Sequence, residues 1–178
     1  SKLFDGERWS LTQPADQTVG ALEALSERFS ETWVCTGRPR EEIVGAIEGL
    51  ALDGVLSANR VASATDVEEL ESELGNTSLG KPHWFQIALA LVGRDEAMEA
   101  LESGSLKESK SAVYVGDGWA DFVAVNACKK LGASIRYCHI RSGSASAEED
   151  QLIADSAITF AVSDDLSGIA QAVQERVS

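Results

Sequence analysis

Two aspartates, Asp117 and Asp121, close the tract Val113-Tyr114-Val115-Gly116-Asp117-Gly118-Trp119-Ala120-Asp121. An apolar strand would deliver the first at its tip, and the first turn of the next helix would carry the second. Carboxylates so placed can converge on one hard cation, and magnesium takes such oxygen ligands while keeping several waters. The plainer reading is that Asp121 only favours a helix N-terminus. A second tract, Trp33-Val34-Cys35-Thr36-Gly37-Arg38-Pro39, puts a threonine hydroxyl and the amides that follow it after another apolar run. Such a set can seat phosphate oxygens, although an isolated tract of this kind also suits an ordinary strand-to-helix turn. The third is Gly80-Lys81-Pro82-His83, where an ammonium at the mouth of an apolar helix could offset phosphate or carboxylate charge. By itself, a lysine before proline also reads as a solvated side chain.

These residues act together only if the fold gathers them. Short strand-like runs alternate with longer helix-like ones, the pattern of a parallel sheet with crossover helices. In such sheets ligands sit outside the carboxyl ends of the strands, where Thr36 and Asp117 fall. The periodicity predicts a helix after Pro14, a strand over 32–36 and a helix opened by Pro39. It then predicts a short strand at Val55-Leu56, an acidic helix over 66–74, an apolar helix over 82–92 and a short helix within 94–110. A strand over 111–115, a helix through Leu131, a strand over 134–140 and a small-residue loop over 142–147 follow. The chain closes with a short helix near Gln151, a strand over 158–162 and a helix over 165–177. The expected architecture is α/β, a Rossmann-like doubly wound parallel sheet with helices on both faces, in a single domain over 1–178.

The 178 residues carry 15 basic and 29 acidic side chains, so the formal charge is 15 − 29 = −14. That field repels nucleic acid and anionic membranes. It also disfavours an anionic substrate, so a phosphate would need a metal or local donors to reverse the sign at the site. No apolar run approaches the roughly 20 residues of a membrane span, and no secretory leader pattern opens the chain. Cys35, Cys128 and Cys138 are widely spaced and sit in apolar runs. They read as reduced, buried thiols, and the expected location is cytoplasmic. His83 and His139 lie too far apart in sequence to suggest a joint metal site, and Trp84, Phe85, Ile87 and Leu89 read as core.

Taken together and in this order, the three tracts resemble the haloacid-dehalogenase superfamily, over a span from about Pro14 to the C-terminus. Thr36 matches the threonine that hydrogen-bonds the transferring phosphoryl group in that family, Lys81 its conserved lysine, and Gly116-Asp117-x-x-x-Asp121 its magnesium-holding acids. The stretch from Gly49 to Leu79 is short, so the resemblance implies little or no cap, as in relatives that act on exposed or large phosphorylated substrates. The family's first motif, an Asp-x-Asp on the first strand, has no clean copy. In one placement Asp5 is the nucleophile and a metal ligand, and Glu7 the general acid/base, on a strand of three or four residues. In the other, Leu3-Phe4-Asp5-Gly6 is the loop after the motif, and the first strand lies before Ser1.

The resemblance implies a magnesium-dependent phosphatase that passes through an aspartyl-phosphate intermediate. Asp5, Glu7, Thr36 and Lys81 would be catalytic, Thr36, Gly37 and Lys81 would bind phosphate, and Asp117, Asp121 and Asp5 would hold the metal. The implied partner is a small phosphorylated substrate, or a phosphorylated macromolecule if the site is uncapped. The alternative is a binding or scaffold protein that keeps the fold but lacks a proper nucleophile motif. A response-regulator-like receiver fits less well, because its acidic pocket should open the chain whereas the clearest aspartate pair here lies late.

Overall fold

The fold comes from a computed structural model, which describes residues 13–75, 78–106 and 110–176. It is α/β, and every strand pairing in it is parallel. The helix after Pro14 is α1 (Ala15–Ser26). It leads into β1 (Val34–Cys35), shorter than the expected strand over 32–36. Pro39 stands immediately ahead of α2 (Arg40–Gly49), where its fixed φ and missing N–H disturb no helical bond.

The second strand departs from expectation. Val55 and Leu56 are not a strand: both amides turn back to the Leu52 carbonyl, and the two side chains pack beside Ile47 and Leu52. The strand is β2 (Val61–Ala62), which pairs with β1 in the register Val34 to Val61. Ser63 then starts α3 (Ala64–Leu74) through a capping box in which the Asp66 carboxylate accepts from the Ser63 amide at 2.7 Å. The other Asp66 oxygen takes the Arg40 guanidinium at 2.8 Å, and Arg40 also donates to the Val61 carbonyl at 2.6 Å. One carboxylate and one guanidinium thereby tie α2, β2 and α3 together. Gly75, at φ 65°, ends α3 in the left-handed conformation that glycine adopts without steric penalty.

Next come α4 (Phe85–Val92), which begins three residues after Pro82, and α5 (Arg94–Ser103). Three strand–helix units complete the chain. They are β3 (Ala112–Gly116) with α6 (Trp119–Lys130), β4 (Ile135–Ile140) with α7 (Ala147–Ala154), and β5 (Thr159–Ser163) with α8 (Leu166–Arg176). These strands form a sheet in the order β3-β4-β5.

Side chains alternate across that sheet as a period of two demands. Ala112, Tyr114, Ile135 and Tyr137 join the core built with α4 and α6, whereas Val113, Val115, Cys138 and Ile140 join the core built with α1 and α8. Helices therefore cover both faces, as a doubly wound sheet requires. The stretch between α2 and α4 forms β2 and α3, whose Val67 and Leu70 enter the first core. No helix among the described residues is long and apolar enough to cross a membrane.

The expected single sheet comes in two pieces, β1-β2 and β3-β4-β5. Between them lies a cavity of about 640 Å³, lined by β1 and β3 and by apolar side chains of α1 and α4. The β1-β2 pair leans instead on α4. Gln86, 1% exposed, donates to the Thr36 carbonyl at 2.5 Å and to the Ala62 carbonyl at 2.9 Å.

Gln86→Leu keeps the volume but strips both carbonyls of that donor. A buried polar group left without its partner costs about 1–3 kcal/mol, so the urea midpoint should fall by that equivalent with an unchanged m value. A wild-type midpoint would mean that the brace contributes nothing.

Candidate functional site

Lys81 reaches into the space where β1 and β3 end. It directly precedes the Lys81–Pro82 bond, which is cis. Its ammonium contacts Asp121 Oδ1 at 2.7 Å, Tyr114 Oη at 2.7 Å and the Cys35 carbonyl at 3.0 Å. The Lys81 and Asp121 side chains are only 15% and 17% exposed. An ammonium has three donors, and here each finds an oxygen. The Tyr114 hydroxyl in turn donates a hydrogen bond to Asp121 Oδ1 at 2.9 Å, which closes a triangle of Lys81, Tyr114 and Asp121. Burial, and then the neighbouring Asp121 charge, push the Tyr114 hydroxyl far above its ordinary range, so it stays a neutral donor.

Gly116 makes that packing possible. A Cβ there would lie 2.8 Å from Tyr137 Oη and 2.9 Å from both the Cβ and Oδ2 atoms of Asp121. The backbone of β3 thus runs directly beneath the carboxylate, and any side chain would displace Asp121 or Tyr137. Tyr137 stacks on Tyr114 with centroids 6.1 Å apart and donates to the Gly118 carbonyl at 3.3 Å. Burial chiefly, followed by the charges of Asp121 and Asp117, raises its hydroxyl pKa. Both carboxylates therefore act electrostatically on one phenol.

Asp117 stands at the tip of β3, one residue past Gly116, and turns to the loop after β4. Ser142 and Ser144 donate to its Oδ2 at 2.7 and 2.8 Å. Partial burial works to raise its pKa, but the two hydroxyls outweigh this, helped by the Asp117 backbone amide and the nearby His139, and hold the carboxyl below its ordinary value. His139, 0% exposed, lies opposite Gly116 on β4 and shares a 2.6 Å hydrogen bond with Asp150 of α7. Its Nδ1 finds no hydrogen-bond partner among the described residues.

Thr36 follows Cys35, so its backbone is one residue from the Lys81 contact. Its Oγ1 accepts the Arg38 amide at 3.2 Å, forming a small hydroxyl-closed turn after β1. Gly37 within that turn is exposed. Lys81 and Asp121 thus meet directly, and the strand end that carries Thr36 meets them through Cys35. Asp117 shares the edge but is engaged by the serine loop. Asp5 and Glu7 lie outside the described residues. Trp119 is 36% exposed and rests against Phe122, with centroids 5.3 Å apart.

The other candidates resolve simply. His83 accepts the Phe85 amide at 3.2 Å and stacks on Trp84, apart from the His139–Asp150 pair, and burial lowers its pKa. Cys35, Cys128 and Cys138 are unpaired, and burial pushes each thiol up to about 12, so none is a ready thiolate nucleophile.

No group of three or more His, Cys, Asp and Glu side chains among the described residues is gathered to hold a metal. Asp117 and Asp121 are carboxylates, the hard oxygen type that magnesium takes, but Asp117 turns to Ser142 and Ser144 whereas Asp121 turns to Lys81 and Tyr114.

No protein-family model matches the chain, and no curated protein matches it. Among solved structures, it resembles an X-ray structure of a Northeast Structural Genomics Consortium target, with a TM-score of 0.76 and 21% identity. The match covers 99% of this chain and 46% of that one, so the chain spans less than half of that protein's length. This likeness supports the Rossmann-like α/β fold.

Ser142→Ala combined with Ser144→Ala should return the Asp117 carboxyl toward its ordinary pKa near 3.8, as read by carboxyl-carbon NMR titration. Because the folded-state pKa is depressed, Asp117 adds stability that is fully present above the unfolded value and lost as pH falls through the folded one. The double variant should therefore lose stability at neutral pH and little at strongly acidic pH. A wild-type titration of Asp117 would show that the serines do not set its charge.

Proposed function

We propose that the protein is a magnesium-dependent phosphatase of the haloacid-dehalogenase type, acting on a phosphomonoester. The observation that carries this reading is the convergence of residues from three distant parts of the chain. The strand end before Thr36, the Lys81 ammonium and the Asp121 carboxylate meet where β1 and β3 finish, beside Asp117. A parallel α/β protein binds ligands at that edge.

In this reading Thr36 and the amides after it orient the phosphoryl oxygens. Lys81 balances their charge, and Tyr114 positions Lys81 and Asp121 relative to one another. Asp117 and Asp121 would hold magnesium, which when bound supplies positive charge to a strongly acidic protein that must accept an anion. A carboxylate, with Asp5 a candidate, attacks phosphorus as the bond from phosphorus to the ester oxygen breaks. The leaving oxygen takes a proton from a second acid, with Glu7 a candidate. Water then cleaves the acyl phosphate, releasing inorganic phosphate and restoring the carboxylate. The substrate is a small phosphorylated molecule, or a phosphorylated macromolecule given the absence of a cap module among the described residues.

One observation favours the second reading, a binding or scaffold protein. All three donors of Lys81 are already taken by protein oxygens, so phosphate must displace one of them. A scaffold would be stabilised by magnesium or by a phosphate mimic without turning over esters.

Folded protein incubated with magnesium and a panel of phosphomonoesters should release phosphate, and chelation should stop it. Lys81→Met and Asp121→Asn should each lower kcat/KM by roughly 100-fold or more, the scale of losing a transition-state electrostatic contact. Tyr114→Phe should lower it less, since the ammonium and carboxylate still pair. Magnesium-induced stabilisation with no phosphate released from any ester would reject the phosphatase in favour of the scaffold.

A further inference from the structure

The loop between β4 and α7 is fixed at both ends and, between them, is tied to one oxygen atom. At its near end the Arg141 amide donates to the Ser163 carbonyl of β5 at 2.9 Å. At its far end Ser146 and Glu149 cap α7 reciprocally, and Asp150 of that helix meets the buried His139 at 2.6 Å. Residues 142–145 lie in between. Ser142 Oγ and Ser144 Oγ both donate to Asp117 Oδ2, at 2.7 and 2.8 Å, and stand 2.8 Å from each other. The Ser144 amide closes the turn on Ser142 Oγ at 3.3 Å, and Gly143 makes the turn with φ 84°, a left-handed conformation that glycine adopts without steric cost. Among the described residues, every hydrogen bond from this four-residue segment to the rest of the chain ends on Asp117 Oδ2. The orientation of that carboxylate and the conformation of the loop therefore set one another.

Asp121 is engaged elsewhere. Its Oδ1 takes the Lys81 ammonium and the Tyr114 hydroxyl, and Lys81 in turn bonds Cys35 of β1, whereas the two serines follow β4. The carboxylates share no hydrogen-bond partner among the described residues, so one cation held by both requires Asp117 to turn away from the serines. We propose that the 142–145 segment is a latch that competes with magnesium for Asp117: without the cation the serines hold the carboxylate, and cation binding draws it away and loosens the loop. This rests on the assignment of Asp117 and Asp121 to magnesium in the proposed function and adds a regulation of that site. Linkage makes the competition reciprocal, because whatever free energy the hydroxyls contribute to holding Asp117 is subtracted from cation binding. The movement is small. The anchors at Arg141 and α7 confine it to four residues, and Ser142, Gly143 and Ser144 are exposed, so water can replace the two hydrogen bonds that open.

Magnesium titrated into the full chain by isothermal titration calorimetry reads the competition. Ser142→Ala combined with Ser144→Ala should bind it about tenfold more tightly than the wild type, the scale of hydroxyl bonds to a charged acceptor. Ser142→Thr combined with Ser144→Thr, which keeps both hydroxyls, should bind it as the wild type does. Nitrogen-15 relaxation reads the loop. Saturating magnesium should lower the order parameters of Gly143, Ser144 and Ala145 from about 0.85 to below about 0.6, with those of Asp150 and Ile153 in α7 unchanged. In Asp117→Ala the same loop amides should be mobile before magnesium is added and change no further. An affinity unchanged or weakened by the alanines, or tightened as much by the threonines, overturns the latch, and so does a loop equally rigid with and without magnesium. Any of these results leaves the phosphatase reading standing, because magnesium is still bound. Magnesium bound by neither the wild type nor the alanine variant overturns the latch together with the metal assignment.

Discussion

A lysine ammonium that is mostly withdrawn from water must keep its charge matched and its hydrogens bonded, because an unpaired buried charge is far costlier than an unpaired surface one. At Lys81 that requirement draws in three oxygens of different kinds: a carboxylate, a phenol and a main-chain carbonyl. Each comes from a different part of the chain. The carboxylate can lie there because Gly116 leaves the floor beneath it bare, and the carbonyl comes from the end of β1.

The same constraint explains the electrostatics of an acidic protein. Asp121 is matched by Lys81, while Asp117 relies on two serine hydroxyls. These two ways of holding a carboxylate, one by a formal charge and one by neutral donors, sit four residues apart. The buried His139, bonded to the partly exposed Asp150, lies close to Asp117.

Much of the architecture was legible from periodicity, and some of it was not. The runs around Val113, Ile135 and Phe160 announced themselves as strands because each is a short apolar run flanked by glycine or polar residues. The pair Val55-Leu56 misled, since two apolar neighbours have no period and suit a helical turn as well as a strand. Val61-Ala62 was silent for the same reason. In the site, Lys81, Asp117 and Asp121 were legible from their residue types and their positions after strands or before a helix. Tyr114 was not: an aromatic residue in mid-strand reads as core, and only its hydroxyl end belongs to the site. Nor did the serines after Ile140 read as more than a loop, because their role depends on Asp117 turning toward them. The division of the sheet has no local signature, since nothing within β1 or β3 records what lies beside it.

The sequence distances spanned by the cluster bear on how the protein acquires its fold. The contacts from Lys81 to Cys35 and to Tyr114 bridge 46 and 33 positions. Closing such loops loses chain entropy before any contact repays it, and distant pairings slow the search for the native state. The ammonium triangle is therefore built from contacts whose closure costs the chain entropy that contacts within a helix do not.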